Sequence, residues 1–215
     1  MRTAPLTTRR GLAPIRGSAA TQPEVEVVAA PRGGLPVVIT AGLADVDVGA
    51  GLSLGPEGAT LDAGWVSAVG LTGSAGEVHA APPSGTAVRW VVGIGDGTPR
   101  QWRTAGAALA RAVDERAAAD SAAGRGITPS LQFELPRDAC AEHVAELVLG
   151  VSLGGYRLTV SRQPARPRLR SLRLIVREPA RLSHLAEVVR RSAAMASATA
   201  ITRDLANTPS NVKDP

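Results

Sequence analysis

Disulfide bonding within the chain is excluded at once, because Cys140 is its only cysteine, and nothing in that usage points to an oxidising compartment. Aromatic residues make up 2% of the sequence, too few for the stacking platforms that single-stranded nucleic acids require. The core must then be built from Val, Leu, Ile and Ala, which suits aliphatic strands and Ala-rich helices. Lysine is almost missing too: Lys213 stands alone, so the net charge of +5 rests on arginine. No stretch approaches the ~20 apolar residues of a membrane span. The leader from Met1 to Ala20 carries Arg2, Arg9, Arg10 and Arg16 without an acid, but lacks the apolar run of about 7–15 residues of a secretory signal. The Arg9-Arg10 pair fails as a twin-arginine export signal for the same reason. Residues 1–20 are therefore read as a disordered tail, and the chain as a cytoplasmic protein with no membrane partner.

What is present is enough for one ordinary domain and an appendage: 215 residues, 44% of them hydrophobic. Glu24–Ala29, Leu35–Ala41, Gly64–Leu71 and Thr86–Gly95 are Val-rich runs bounded by Gly and Pro, which predicts buried strands. Thr98 as N-cap and Pro99 at the first helical position predict a helix over Arg100–Ala123, ended by Gly124 and Gly126. Ser130–Leu135 reads as a strand. Asp138 is the expected cap of a second helix with Val144, Leu147, Val148 and Val151 on one face. After a Pro- and Arg-rich loop at Ser161–Arg170, Leu172–Val176 gives another strand. Alternating strands and helices require crossovers, so the expected class is α/β, with a mixed, largely parallel sheet flanked by helices over residues 21–178. From Pro179 to about Leu205 one long helix is expected, with Leu182, Leu185, Val189, Ala193, Ala196 and Ala200 as a narrow apolar stripe.

Several patterns carry possible chemistry. Gly150-Val151-Ser152-Leu153-Gly154 has the spacing of a nucleophile elbow, but that turn needs a strand to enter it, and here a helix enters; the segment is read as a glycine-assisted helix end. Gly93-Ile94-Gly95-Asp96-Gly97 lies between a strand and a helix, where amides could cradle a phosphate, yet Thr98 stands where the dinucleotide fingerprint needs its third glycine. A tight strand-to-helix turn is the plainer reading. Cys140 and His143 are three apart on a helix, with His79 and His184 distant in sequence, and two ligands make no metal site. Asp45-Val46-Asp47 fails as a calcium loop because Pro56 occupies the bidentate Glu position. Arginines 162, 166, 168, 170, 173, 177 and 181 form a basic segment with only Glu178 among them, the best polyanion candidate; the plainer reading is a solvated loop and strand edge.

Thr202-Arg203-Asp204-Leu205-Ala206-Asn207-Thr208-Pro209-Ser210-Asn211 resembles the Arg-Asp-Leu-x-Asn-x-Pro-x-Asn segment that opens the catalytic domain of leucine (cytosol) aminopeptidases. Gly73-Ser74-Ala75-Gly76-Glu77, Val92-Gly93-Ile94-Gly95 and Gly150-Val151-Ser152-Leu153-Gly154-Gly155-Tyr156-Arg157 resemble, in the same order, the family's Gly-Lys-x-Gly-Glu, Val-Gly-Leu-Gly and Gly-x-x-Leu-x-x-Tyr-x-Phe segments. Ser74 stands where the family often has Lys, and Leu158 where it has an aromatic residue. The resemblance implies an N-terminal α/β domain similar to macro domains (21–178), a long connecting helix (179–205), the start of a peptidase domain (206–215), and a hexamer acting on peptides.

The family's chemistry uses two divalent ions, Zn or Mn, held with catalytic Lys and Arg residues well downstream of the Asn-x-Pro-x-Asn segment. No catalytic, cofactor-binding or metal residue of that set maps onto this chain, and Lys213 is not one of them. The expectation is therefore an assembly and regulatory domain, cut at Pro215 and inactive alone. The alternative is a non-catalytic macro-like module binding a nucleotide such as ADP-ribose through Gly93–Gly97, or DNA through the basic segment, as some bacterial members of the resembled family do.

Overall fold

The structure is a computed structural model and describes residues 22–43, 52–54, 59–81, 88–126, 130–156 and 168–207. Strands β1 (Glu24–Val28), β2 (Val37–Gly42), β3 (Leu52–Leu54) and β4 (Ala59–Leu61) are followed by helix α1 (Ala63–Val69). Then come β5 (Val78–Ala80), β6 (Val88–Gly95), α2 (Pro99–Ala122), β7 (Ser130–Glu134), α3 (Ala141–Gly154), β8 (Ser171–Ile175) and α4 (Pro179–Asn207). Six strands form one sheet in the order β1-β8-β7-β2-β6-β5, parallel throughout except where β5 pairs antiparallel with β6. The expected α/β class with a mixed, largely parallel sheet is the one observed. The short strands β3, β4 and β5 are not among the strands the sequence predicts; among the described residues β3 and β4 pair only with each other.

A parallel sheet with both faces covered explains why β2 is buried at all six positions and reads as continuous aliphatic sequence. Alternate side chains go to opposite faces. Val38 and Val92 join Trp102, Leu131, Phe133 and Leu147 in the core under α2, α3 and α4, whereas Val37, Ile39 and Val91 pack with Leu61, Val66 and Leu71 beside α1.

Two sequence readings need correction. The Val-rich run Gly64–Leu71, expected as a strand, contains helix α1. The Asp62 side chain caps it, accepting from Gly64 N at 2.9 Å. Gly70 closes it at φ 63°, with Gly70 N donating to Ser67 O and Leu71 N to Val66 O. This paired closure needs a left-handed residue, which Gly adopts without steric penalty, and it outweighs the strand preference of Val66 and Val69. Secondly, α3 is capped by Cys140, not Asp138. Asp138 lies inside a turn in which Ala139 N donates to Pro136 O, and Arg181 of α4 donates to the carbonyls of Arg137 and Ala139, so the helix starts later.

The other helices follow the sequence closely. At α2, Gln101 Oε1 accepts from both the amide (2.9 Å) and the hydroxyl (2.8 Å) of Thr98, ahead of Pro99. Helix α4 runs to Asn207, two residues beyond the expected end, and buries Leu185, Val189, Ser192, Ala196, Ala200 and Asp204. Leu182 and Ala193 of the expected stripe are part-buried. None of the helices among the described residues is long and apolar enough to cross a membrane.

Candidate functional site

The turn from β6 into α2 is where the sequence placed its phosphate candidate. Four of its amides are already engaged. Gly93 N donates to Glu77 O (2.8 Å), Gly95 N to Gly73 O (2.8 Å), Gly97 N to Ile94 O (3.0 Å) and Thr98 N to Gln101 Oε1. A Cβ on Gly93 would lie 2.0 Å from Ser74 O, so this glycine is explained by the close passage of the 73–77 loop. The tight-turn reading accounts for Gly93–Gly97, and Asp96 adds an acid where an anion would sit.

That loop carries a polar network that sequence reading missed, although its Gly73–Glu77 segment had been singled out. The Glu77 carboxylate accepts from Thr72 N (3.0 Å), the Thr72 hydroxyl (2.9 Å) and Ser74 N (3.2 Å), and pairs with His79 Nε2 at 2.7 Å. His79 in turn meets Trp65 of α1 edge-on at 6.4 Å. Burial raises the Glu77 pKa, but the hydrogen bonds from His79 and Thr72 outweigh it and hold the carboxyl below the usual range. A depressed native pKa contributes stability that is complete above the unfolded value, near 4.5, and is lost as pH falls through the lower native value. Melting temperatures followed from pH 6 to pH 3 are expected to show this acid-side loss in the native chain and a shallower one in Glu77→Gln. Parallel curves would mean that the network does not favour the ionised form.

The Gly150–Gly154 segment lies inside α3, and the strand-turn-helix context of a nucleophile is absent. Its glycines face α2: a Cβ on Gly150 would lie 2.2 Å from Arg103 O, and one on Gly154 2.5 Å from the Ala107 Cα. Gly106 answers from α2, its Cβ position 2.6 Å from Leu147 O. The pair Arg103–Glu146 joins the same two helices at the surface. Ser152 is buried and lines a cavity of about 20 Å³ together with Gln22, Asp114, Tyr156 and Arg168. That is room for one water, not for a substrate.

Cys140 is exposed, but its amide donates to His143 Nδ1 (3.3 Å), and the His143 ring stacks on Trp102 at 5.4 Å and 8°. The two residues form a helix start packed on an aromatic ring. His184 is exposed on α4, and no group of three or more His, Cys, Asp or Glu is placed to hold a metal among the described residues.

The basic segment is paired by acids that are remote in sequence. Arg173 meets Glu26 of β1 (3.1 Å), and Arg177 meets Glu134 of β7 (2.9 Å). Arg168 Nη1 donates to Gly155 O (3.2 Å), and Arg181 grips Arg137 O, Ala139 O and Glu178. Arg170 is exposed. Arg162 and Arg166 lie outside the described residues, as do the leader, Asp45, Asp47, Pro56, Leu158 and Lys213.

Tyr156 follows α3 directly, and its hydroxyl donates to Asp204 Oδ1 of α4 at 3.0 Å. Two segments carrying the family resemblance thus touch across 48 residues of chain.

No protein-family model and no curated protein matches the chain. Solved structures do. It is similar to the bottromycin maturation enzyme BotP in complex with Mn, at 26% identity and a TM-score of 0.57, over 83% of this chain and 33% of that one. It is also similar to a mutant tomato leucine aminopeptidase (16% identity, TM-score 0.68, 90% and 40% of the two chains). A third match is the cytosol aminopeptidase of Coxiella burnetii (19%, 0.52, 86% and 34%). The chain spans between a third and two fifths of the length of these structures. Its fold is one that the leucine and cytosol aminopeptidases and BotP share, in agreement with the resemblance carried by its sequence motifs.

Proposed function

We propose that the chain is the N-terminal assembly and regulatory domain of a metal-dependent leucyl aminopeptidase, an enzyme that removes N-terminal residues from peptides. The observation that carries this reading is the agreement of motif order and fold. The ordered motifs from Gly73 to Asn211 resemble one family, and the fold matches members of it over 83–90% of the chain while accounting for only 33–40% of theirs. The remaining length of such an enzyme is where peptide chemistry resides in this proposal. Two divalent ions, Zn or Mn, bound there would supply Lewis-acid polarisation of the scissile carbonyl and an activated water. The described residues do not fit such a centre: His143 Nδ1 is taken by the Cys140 amide, and the Glu77–His79 pair offers two donors, one of them already accepting from Thr72 and Ser74.

The domain's own work is then to shield the entrance of the peptidase site and to shape a cytoplasmic hexamer. Two measurements test the proposal. Reading the gene beyond the codon for Pro215 is expected to show an open frame for about one more large domain, with a Lys- and Asp-rich metal motif. A stop codon there would remove the peptidase assignment. Purified as 215 residues, the chain is expected to release no leucine from leucyl p-nitroanilide with Mn or Zn added, and metal-dependent release by this piece would overturn its assembly role.

A further inference from the structure

Three residues near the end of α4 converge on a single aromatic ring. Asp204, 8% exposed, accepts the Tyr156 hydroxyl proton at 3.0 Å. Arg203 places its guanidinium 5.4 Å from the ring centroid, and Asn207 Nδ2 donates to the hydroxyl oxygen at 3.4 Å. Tyr156 itself is fixed by its position after the α3 end, where its amide donates to Leu153 O and Arg168 holds the neighbouring Gly155 carbonyl. Among the described residues the apolar hold on this part of α4 is slight. Ile201 is 48% and Leu205 61% exposed, and the buried contacts preceding Asp204 are Ala196 and Ala200, which remove little apolar area from water.

The geometry points to Tyr156 as a positioning residue. It clasps the last described turns of α4 to the end of α3, so that the sheet domain sets the direction of the helix up to Asn207. Without the clasp the last two turns would fray, as helix ends do when tertiary packing is thin. With it, α4 is a rigid arm through Asn207. This role concerns the 215-residue chain itself and does not depend on the aminopeptidase reading.

Amide hydrogen exchange on the full chain tests it. Tyr156→Phe keeps the ring and its contact with Arg203 but leaves Asp204 without the phenol proton; amides from Ile201 to Asn207 are expected to exchange about tenfold faster, with Leu185–Ser192 unchanged. Asp204→Asn retains an acceptor and is expected to stay near the native rate, whereas Asp204→Ala should exchange at least as fast as Tyr156→Phe. Because the two side chains act on each other, the double variant Tyr156→Phe/Asp204→Ala should exchange no faster than Asp204→Ala alone. Unchanged rates in Tyr156→Phe, or full addition in the double variant, would overturn the clasp. Should Tyr156→Phe unfold the core, seen as exposure of the Leu131 and Phe133 amides, Arg203→Ala/Asn207→Ala decides at exposed positions. Alanine favours helix over Asn, so slower exchange there would overturn the proposal and faster exchange would support it.

Discussion

Gly150→Ala is expected to lower the melting temperature by about 6–12 °C, from a loss of roughly 3 kcal/mol. At an exposed helical position the same change would stabilise, since glycine costs about 1 kcal/mol relative to alanine in a helix interior. Here the added methyl carbon would lie 2.2 Å from Arg103 O and 3.0 Å from Ala107 N. Both are backbone atoms of α2 and cannot rotate aside, so the helices must separate. Separation also releases the contacts at Gly106 and Gly154, which are built on the same approach. Ser152→Ala, in the same five-residue segment, removes only one oxygen and is expected to cost about 1 kcal/mol. Thermal melts of the two variants make the comparison. An unchanged or raised melting temperature for Gly150→Ala would mean that α2 and α3 do not approach this closely.

The second large effect is expected at Phe133, the only phenylalanine of the chain and fully buried at the centre of the sheet. Its ring lies 6.2 Å from that of Trp102, and Leu131, Leu172 and Leu174 share its core. Phe133→Ala is expected to cost about 3–5 kcal/mol. The surrounding strands are locked by their ladders on both sides, through β2 and β8, and cannot collapse into the space left behind. Urea denaturation should give a lower midpoint with an unchanged slope. A loss below about 1 kcal/mol would show that α2 and α3 close over the cavity.

Much of the architecture was legible because local chemistry and tertiary packing agree. Thr98, Pro99 and Gln101 mark the start of α2 by capping, and the Val144, Leu147, Val148, Val151 face of α3 is buried as its spacing indicates. Gly64–Leu71 misleads because eight residues of mixed apolar sequence fit a strand or a short helix equally well. Only the Asp62 and Gly70 caps separate the two. The short strand β5 is held by long-range pairing with β6, which no window of its own sequence reveals.

For the site, the limits lie elsewhere. The basic segment looks unopposed in sequence because Glu26 and Glu134, which meet Arg173 and Arg177, are brought in by strand order. Ser74, noted for replacing a lysine, turns out to hold its backbone against Glu77 and Gly93. Glu77 and His79 are two residues apart at the entry to β5, a spacing common enough to carry no signal until the Thr72 loop folds over the pair.

The order of the sheet has a consequence for biogenesis. β1 precedes the other described strands in the chain, yet its ladder runs along β8, with Glu24 opposite Ser171 and Val28 opposite Ile175. A ribosome adding about 5–20 residues each second needs roughly ten to thirty seconds to supply that partner. Until then β1 has no partner in this sheet, and the charges of Glu24 and Glu26 discourage its capture by another nascent chain. Vectorial synthesis therefore leaves β1 waiting on β8, so this edge of the sheet is completed later than the β2–β6 pairing, both of whose strands are made by Gly95.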